Sequence, residues 1–163
     1  MSHYLQSESG NHRPSTSPPG DAGSDQTTRA NVMPLLLIVD DFEDSRAMYC
    51  AYARVCGFEV DEAADGISAL EKARKLLPQC IVIDLALPKL DGWEVVRRLR
   101  ADPTTRGIPV IAVSGHTLES HTRAAHEAGC DDFLPKPCLP DVLVEKIRKV
   151  LKMNAPAKGL ANA

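Results

Sequence analysis

Acidic side chains directly follow two apolar runs of this sequence. Asp40 and Asp41 come after the run at residues 35–39, and Asp84 comes after the run at residues 80–83. Short apolar runs that stop at a turn signal are typical of buried strands, and buried strands occur in parallel sheets that helices cover on both faces. Ligands bind at the carboxyl edge of such sheets. The three carboxylates are therefore candidates for chemistry at one sheet edge.

Two further polar side chains occupy equivalent places later in the chain. Ser114 follows the apolar run at residues 109–113, and Lys136 follows a short run at residues 132–134. Crowded carboxylates repel each other unless a cation joins them, and Mg²⁺ takes oxygen ligands and favours phosphate as a partner. A carboxylate such as Asp84 is also a possible nucleophile toward phosphorus. The pattern predicts phosphoryl transfer, with an ammonium and a hydroxyl to neutralise the phosphoryl oxygens.

Strand and helix patterns alternate between these residues. Helical spacing follows each of five predicted strands, which cover residues 35–39, 58–63, 80–83, 109–113 and 132–134. Such alternation predicts a parallel sheet with helices on both sides. We expect an α/β fold, a flavodoxin-like (βα)5 doubly wound parallel sheet with strand order 2-1-3-4-5. In that order the first and third strands are neighbours, so their carboxylates meet.

Spacing within the helices gives two more specific predictions. Apolar residues three and four apart predict the inward face of the first helix, which consists of Met48, Ala51, Tyr52 and Val55. A group of arginines on the third helix is interpreted as a solvated face, and its members are Arg97, Arg98 and Arg100.

Composition limits the class of protein. The 163 residues carry a formal net charge of −3 and contain no apolar run long enough to span a membrane. We therefore expect no nucleic-acid partner and no membrane association. The five cysteines form no C-x-x-C pair, and no secretory signal is visible at the N-terminus. Reduced thiols and a cytoplasmic protein are the expectation.

The two ends differ from the region between them. Residues 1–34 are rich in Ser, Thr, Pro and Gly and contain few large apolar residues. Such a segment buries too little apolar surface to offset its ordering entropy. We predict a disordered tail at residues 1–34, a folded domain at residues 35–152 and a flexible tail at residues 153–163.

Four motifs together resemble the receiver domain of two-component response regulators, as in the bacterial chemotaxis receiver. They are the acidic pair Asp40-Asp41, the segment D-L-A-L-P-K-L-D-G that begins at Asp84, V-S-G around Ser114, and F-L-P-K-P around Lys136. Any one of these motifs alone is a weak signal. The resemblance covers residues 35–152.

The resemblance implies a phosphoacceptor and a metal site. Asp84 would accept a phosphoryl group from the phosphohistidine of a sensor histidine kinase or a phosphotransfer protein. Asp41, Asp84 and the backbone carbonyl of Ala86 would bind Mg²⁺ directly, and Asp40 would bind it through water.

The resemblance also implies a switch. Ser114 and Lys136 would hold the phosphoryl group, and the bond between Lys136 and Pro137 would be cis. Ser114 and Phe133 would move on phosphorylation and change contacts with a downstream protein. Phe133 lacks the hydroxyl of the tyrosine that is common in the family.

A receiver of this kind is not an enzyme in the ordinary sense, because it is a regulatory phosphoacceptor that catalyses only its own phosphotransfer and dephosphorylation. No output domain is recognisable after Met153, so a single-domain response regulator is expected. An intermediate phosphoryl carrier in a multistep phosphorelay is the alternative. A haloacid-dehalogenase-type phosphatase would need a second Asp at the position of Ala86. A receiver-like binding module that is not phosphorylated would normally lack one of the acidic positions or the lysine.

Overall fold

The computed structural model describes residues 32–115 and 119–152, except for the side chains of residues 119–122. Strands and helices alternate through these residues. Their bounds are β1 Leu35–Val39, α1 Glu43–Val55, β2 Glu59–Ala63, α2 Gly66–Leu76, β3 Cys80–Asp84, α3 Gly92–Ala101, β4 Val110–Ser114, α4 Glu119–Ala128, β5 Asp132–Pro135 and α5 Pro140–Val150. None of the described helices is both long and apolar enough to cross a membrane. The predictions for residues 1–31 and 153–163 lie outside the described residues.

The strands form one parallel sheet in the order β2-β1-β3-β4-β5. This order confirms the predicted flavodoxin-like topology. Val39 at the end of β1 pairs with Ile83, and Ser114 at the end of β4 pairs with Pro135. Because the strands are parallel and end at similar levels, the residues that follow them meet at one edge of the sheet.

Apolar clusters cover both faces of the sheet. Leu37 and Ile81 point toward α2 and α3, whereas their neighbours Leu36 and Cys80 point toward α1 and α5. This alternation follows from the period of two along a strand. Every residue of β3 is buried, as expected for the central strand of a sheet that helices cover on both sides.

The inward face of α1 differs from the prediction. Met48 is 43% exposed and Val55 is 86% exposed, whereas Tyr49 and Ala53 are almost completely buried. The predicted face was therefore wrong. Apolar residues lie on more than one side of this helix, so spacing alone permits more than one stripe. Packing against the sheet and α5 selects the stripe with Tyr49.

The start of α3 is fitted closely to the end of β3. The Asp91 side chain caps the helix by accepting a hydrogen bond from the Glu94 N–H at 2.8 Å. A Cβ at Gly92 would lie 2.5 Å from the Asp84 carbonyl oxygen and 2.6 Å from the Leu85 Cα. Only glycine permits this approach. The inward face of α3 consists of Val95, Val96 and Leu99, which are buried.

Candidate functional site

The predicted carboxylates do meet at the carboxyl edge of the sheet. Oxygen atoms of Asp40, Asp41 and Asp84 all lie within 4.8 Å of one another. Asp40 is 3% exposed and Asp84 is 7% exposed, whereas Asp41 is exposed. The cluster therefore has a buried floor and one side that is open to solvent.

Lys136 reaches this cluster from the loop after β5. Its Nζ donates hydrogen bonds to Asp40 Oδ2 at 2.8 Å and to Asp84 Oδ2 at 2.6 Å. Burial alone would lower the pKa of Lys136, but the hydrogen bonds to the two carboxylates outweigh it and raise the pKa above its ordinary value. The ammonium is therefore charged at neutral pH.

Among the described residues, the charges of this cluster do not balance. Three carboxylates and one ammonium carry a formal charge of −2 when all are ionised. The available donors are carboxylate oxygens on a partly open surface, which suit Mg²⁺ because this ion keeps several waters and needs few protein ligands. The residues therefore fit a magnesium ion by both charge and ligand type.

Local turns fix the orientation of two of the carboxylates. Asp40 Oδ1 accepts a hydrogen bond from the Phe42 N–H at 2.9 Å, and Asp84 Oδ1 accepts one from the Ala86 N–H at 2.9 Å. Each aspartate thus bonds to the backbone two residues further on, which is the geometry of an Asx turn. The metal-ligand role of the Ala86 carbonyl stays a prediction.

Helix α1 supports the first of these turns. Arg46 Nη1 donates to the Asp40 carbonyl at 2.9 Å, and Arg46 Nε is paired with Glu62 of β2 at 3.0 Å. The guanidinium is thereby held between the loop after β1 and the neighbouring strand. The sequence predictions did not include Arg46.

The predicted phosphate-binding and switch residues lie on β4 and β5. Ser114 is 2% exposed, and its carbonyl accepts a hydrogen bond from the Lys136 N–H at 2.8 Å. The Lys136–Pro137 peptide bond is cis, as the family resemblance implied. Phe133 is half-buried and packs against the cluster beneath α2 and α3. The switch roles of Ser114 and Phe133 stay predictions.

A second contact from α1 was also missed. The buried hydroxyl of Tyr49 donates to the Cys138 carbonyl at 2.9 Å, two residues after Lys136. The sequence offered no direct signal, because the two residues are 89 positions apart and the apolar stripe assigned to α1 excluded Tyr49.

Comparison with known proteins agrees with this geometry. The family model of the response regulator receiver domain matches residues 36–148. The transcriptional regulatory protein PrrA of Mycobacterium leprae is 39% identical over 119 residues, which cover 73% of this chain and 50% of that protein. The chain spans about half the length of the curated relatives that it matches.

Solved structures show the same fold. A response regulator of Chloroflexus aurantiacus has a TM-score of 0.70 and 35% identity over 74% of this chain and 98% of that chain. The receiver domain of the sensor histidine kinase PA1611 of Pseudomonas aeruginosa, solved with magnesium in its active-site cleft, has a TM-score of 0.69 and 29% identity over 74% and 98% of the two chains.

This chain belongs to the response regulator receiver-domain family. Receiver domains are regulatory phosphoacceptors of two-component signalling, and they bind Mg²⁺ in their acidic site.

Proposed function

We propose that Asp84 accepts a phosphoryl group from the phosphohistidine of a sensor histidine kinase or phosphotransfer protein, and that this changes the contacts of the domain with a downstream protein. The observation that carries the proposal is the contact of one ammonium, from Lys136, with both Asp40 and Asp84 beside a third carboxylate. This arrangement presents a nucleophile and a fixed positive charge at one partly open site.

The proposed step needs few groups. A carboxylate oxygen of Asp84 attacks phosphorus, the bond between phosphorus and the imidazole nitrogen breaks, and its electron pair returns to the ring. Because the Lys136 ammonium contacts Asp84 Oδ2 at 2.6 Å, it is close enough to follow the transferred phosphoryl group and hold one of its oxygens. Positioning and charge stabilisation of this kind supply most of the catalysis in phosphoryl transfer.

The metal would be held by the three carboxylates, whose combined charge one lysine does not balance. We propose Asp41, Asp84 and the Ala86 carbonyl as direct ligands and Asp40 as a ligand through water. When bound, Mg²⁺ supplies the positive charge that neutralises the nucleophile and the incoming phosphoryl oxygens.

Exposed apolar residues lie close to the site residues in the sequence. Phe42, directly after the acidic pair, is 60% exposed, and Leu139, three residues after Lys136, is 67% exposed. Protein interfaces commonly use such residues at their centre. Their position supports a protein, rather than a small molecule alone, as the phosphoryl donor.

The switch would depend on Ser114 and Phe133. The Ser114 hydroxyl can donate a charge-assisted hydrogen bond to a phosphoryl oxygen. Phe133 can follow only by repacking, because its ring has no hydroxyl to find a new partner. The proposed output is a changed protein contact in the region of α4 and β5, in a cytoplasmic setting.

The curated relatives are about twice as long as the matching region, so the output of the whole protein is part of the proposal. The phosphorelay carrier remains the alternative on sequence grounds.

Mass spectrometry after incubation with acetyl phosphate and Mg²⁺ tests the proposed acceptor. We expect one hydroxylamine-labile phosphoryl group on the wild-type chain and none on Asp84→Asn, because an amide is a poor nucleophile. Asp131→Asn, which changes an aspartate at the opposite edge of the sheet, is the matched control and should label normally. Full labelling of Asp84→Asn would overturn the assignment.

A further inference from the structure

Tyr49 contacts the site indirectly, through the backbone that follows Lys136. It lies on the inner face of α1 and is 4% exposed. Its ring packs with residues of the sheet and α5, while its hydroxyl donates to the Cys138 carbonyl at 2.9 Å. The hydroxyl thus ends on the loop that carries the lysine.

We propose that Tyr49 is a positioning residue for the acceptor site, holding through the Cys138 carbonyl the segment from which Lys136 reaches Asp40 and Asp84. This role rests on the proposed function of Lys136.

The backbone of the segment after β5 has to be held in place for Lys136 to reach the carboxylates. A lysine side chain is flexible, so the place of its ammonium depends on where its backbone is held. Upstream, the Lys136 N–H donates to the Ser114 carbonyl at 2.8 Å. Pro137 has no N–H and so cannot donate a second backbone hydrogen bond. The Tyr49 hydroxyl supplies a further contact to the segment, from helix α1.

The same helix also holds the carboxylate side of the site. Arg46 precedes Tyr49 by three residues, and side chains at that spacing lie on neighbouring positions of one helix face. Arg46 bonds to the Asp40 carbonyl, and Tyr49 bonds to the Cys138 carbonyl. Helix α1 therefore spans the distance between the loop with the acidic pair and the loop with the lysine.

The tyrosine is a reliable donor at this place. Burial raises the pKa of the Tyr49 hydroxyl above its ordinary value, so the hydroxyl keeps its proton at neutral and mildly basic pH. Removal of the hydroxyl would leave a buried carbonyl without this donor. A buried carbonyl without a hydrogen bond raises the free energy of the folded state. We therefore expect the loop to shift until this carbonyl finds another donor.

Tyr49→Phe removes the hydroxyl and keeps the ring. We expect labelling of Asp84 by acetyl phosphate to slow about fivefold or more, since small errors in position weaken catalysis strongly. We expect Mg²⁺ to bind about threefold more tightly, because a displaced ammonium competes less with the ion for the carboxylates. The matched control is Tyr52→Phe on the same helix, a residue that is 38% exposed; neither quantity should change.

A cycle with Lys136→Ala separates positioning from general loosening of the fold. Magnesium affinity, measured by calorimetry, is defined in all four proteins even where labelling is slow. If Tyr49 acts through Lys136, Tyr49→Phe should change the affinity little in the Lys136→Ala background. A 4-aminophenylalanine at position 49, which restores an N–H donor, should restore the wild-type values.

Three outcomes would overturn the proposal: unchanged labelling and affinity in Tyr49→Phe, a parallel loss of both, or a change in affinity that persists in Lys136→Ala. Failure of the proposed function is a separate result, because the wild-type chain would then not be labelled at Asp84 while the affinity cycle would still report on Tyr49.

Discussion

The two edges of the sheet each use one basic side chain to join several loops, but the surroundings of the two cations differ. At the carboxyl edge Lys136 contacts two carboxylates and lies beside a third. At the amino edge Arg100, from the last turn of α3, contacts one carboxylate and three backbone carbonyls.

At the amino edge the hydrogen bonds of Arg100 join the loops that precede β4 and β5. Arg100 Nε donates to the Gly129 carbonyl at 2.8 Å, and Nη2 donates to Asp131 Oδ2 at 2.9 Å. Nη1 donates to the carbonyls of Arg106 and Ile108 at 3.1 and 2.8 Å. Gly129 has a φ of +103°, and a Cβ there would lie 2.8 Å from Arg100 Cγ. Glycine therefore permits both the turn and the approach of the arginine.

The same type of charge therefore has two different electrostatic surroundings in this fold. Around Arg100 one positive and one negative charge cancel, and neutral carbonyls accept the remaining hydrogen bonds. Around Lys136 the carboxylates outnumber the cation. Because the excess negative charges repel each other and favour an added cation, the residues at the carboxyl edge fit a metal ion.

The largest expected effect comes from a change of charge at the carboxyl edge. Asp41→Ala should abolish both Mg²⁺ binding and labelling of Asp84. Asp41 is the exposed carboxylate of the cluster and is proposed above as a direct ligand of the ion. It should also remove the rise in melting temperature that saturating Mg²⁺ gives the wild-type chain. Differential scanning calorimetry with and without Mg²⁺ measures this.

Asp131→Ala is the control at the amino edge. It should lower the melting temperature and keep the magnesium-dependent rise. If Asp41→Ala kept that rise or labelled normally in EDTA, the proposed functional contrast between the two edges would fail.

The next largest effect is expected at the amino edge. Arg100→Met should lower the free energy of unfolding by about 2–4 kcal/mol, because a carboxylate and three carbonyls lose a donor. Once folded, the variant should be labelled at the wild-type rate. Urea denaturation and mass spectrometry measure the two quantities.

Arg97→Met, which removes an exposed arginine paired within the same helix to Glu94, is the matched control for Arg100. Its loss should be small, since exposed ion pairs contribute little. Equal losses of unfolding free energy in the two variants would mean that the Arg100 contacts do not stabilise the fold more than an exposed ion pair does.

A smaller effect concerns the response to phosphorylation. Ser114→Ala should still accept a phosphoryl group but should weaken the coupling to the partner surface roughly tenfold or more, because one charge-assisted hydrogen bond contributes about 1.5–3 kcal/mol. Hydrogen exchange of residues 114–136 with beryllofluoride, a phosphoryl mimic, measures the change.

Thr105→Val supplies the matched loss of a buried hydroxyl at the amino edge, where Thr105 Oγ1 donates to the Leu99 carbonyl at 2.9 Å. This variant should lower stability and keep the wild-type exchange response. A wild-type response in Ser114→Ala would show that Ser114 is not the trigger.

The smallest expected effects are changes in stability with pH, and they should be similar at the two edges. They involve Asp65 near the carboxyl edge and Asp102 near the amino edge. The Ser68 N–H and then Lys89 lower the pKa of Asp65 to about 2. Arg74 and then Thr104 lower the pKa of Asp102 to about 2. A lowered pKa adds stability above the unfolded value, near 3.9 for Asp, and that stability disappears as the pH falls toward 2.

The difference in unfolding free energy between wild type and Asp65→Asn should be at most about 1 kcal/mol at pH 5 or above. It should vanish near pH 2, and Asp102→Asn should follow the same direction. Urea denaturation over this range measures it. A difference that grew toward low pH would contradict the sign of the shift.

Much of the carboxyl edge was predictable from sequence because its signals are local. Each strand is an apolar run of a few residues that ends at a polar residue, and parallel alternation brings those ends together. This is why Asp40, Asp84, Ser114 and Lys136 were placed correctly at one edge. The caps of α2 and α3 were predictable for the same reason, since an Asp before a Gly starts a helix through its own side chain.

Tertiary packing decided the features that join distant parts of the chain. Arg100 was predicted to be solvated, but its side chain is only 23% exposed and reaches the Gly129 carbonyl, 29 residues away; that prediction was wrong. Tyr49 and its partner Cys138 are further apart still in sequence. Helical spacing permits several rotations of α1, and burial against the sheet and α5 selects one of them. Short local patterns therefore identify the candidate site residues, whereas the contacts that hold these residues in place depend on the packed fold.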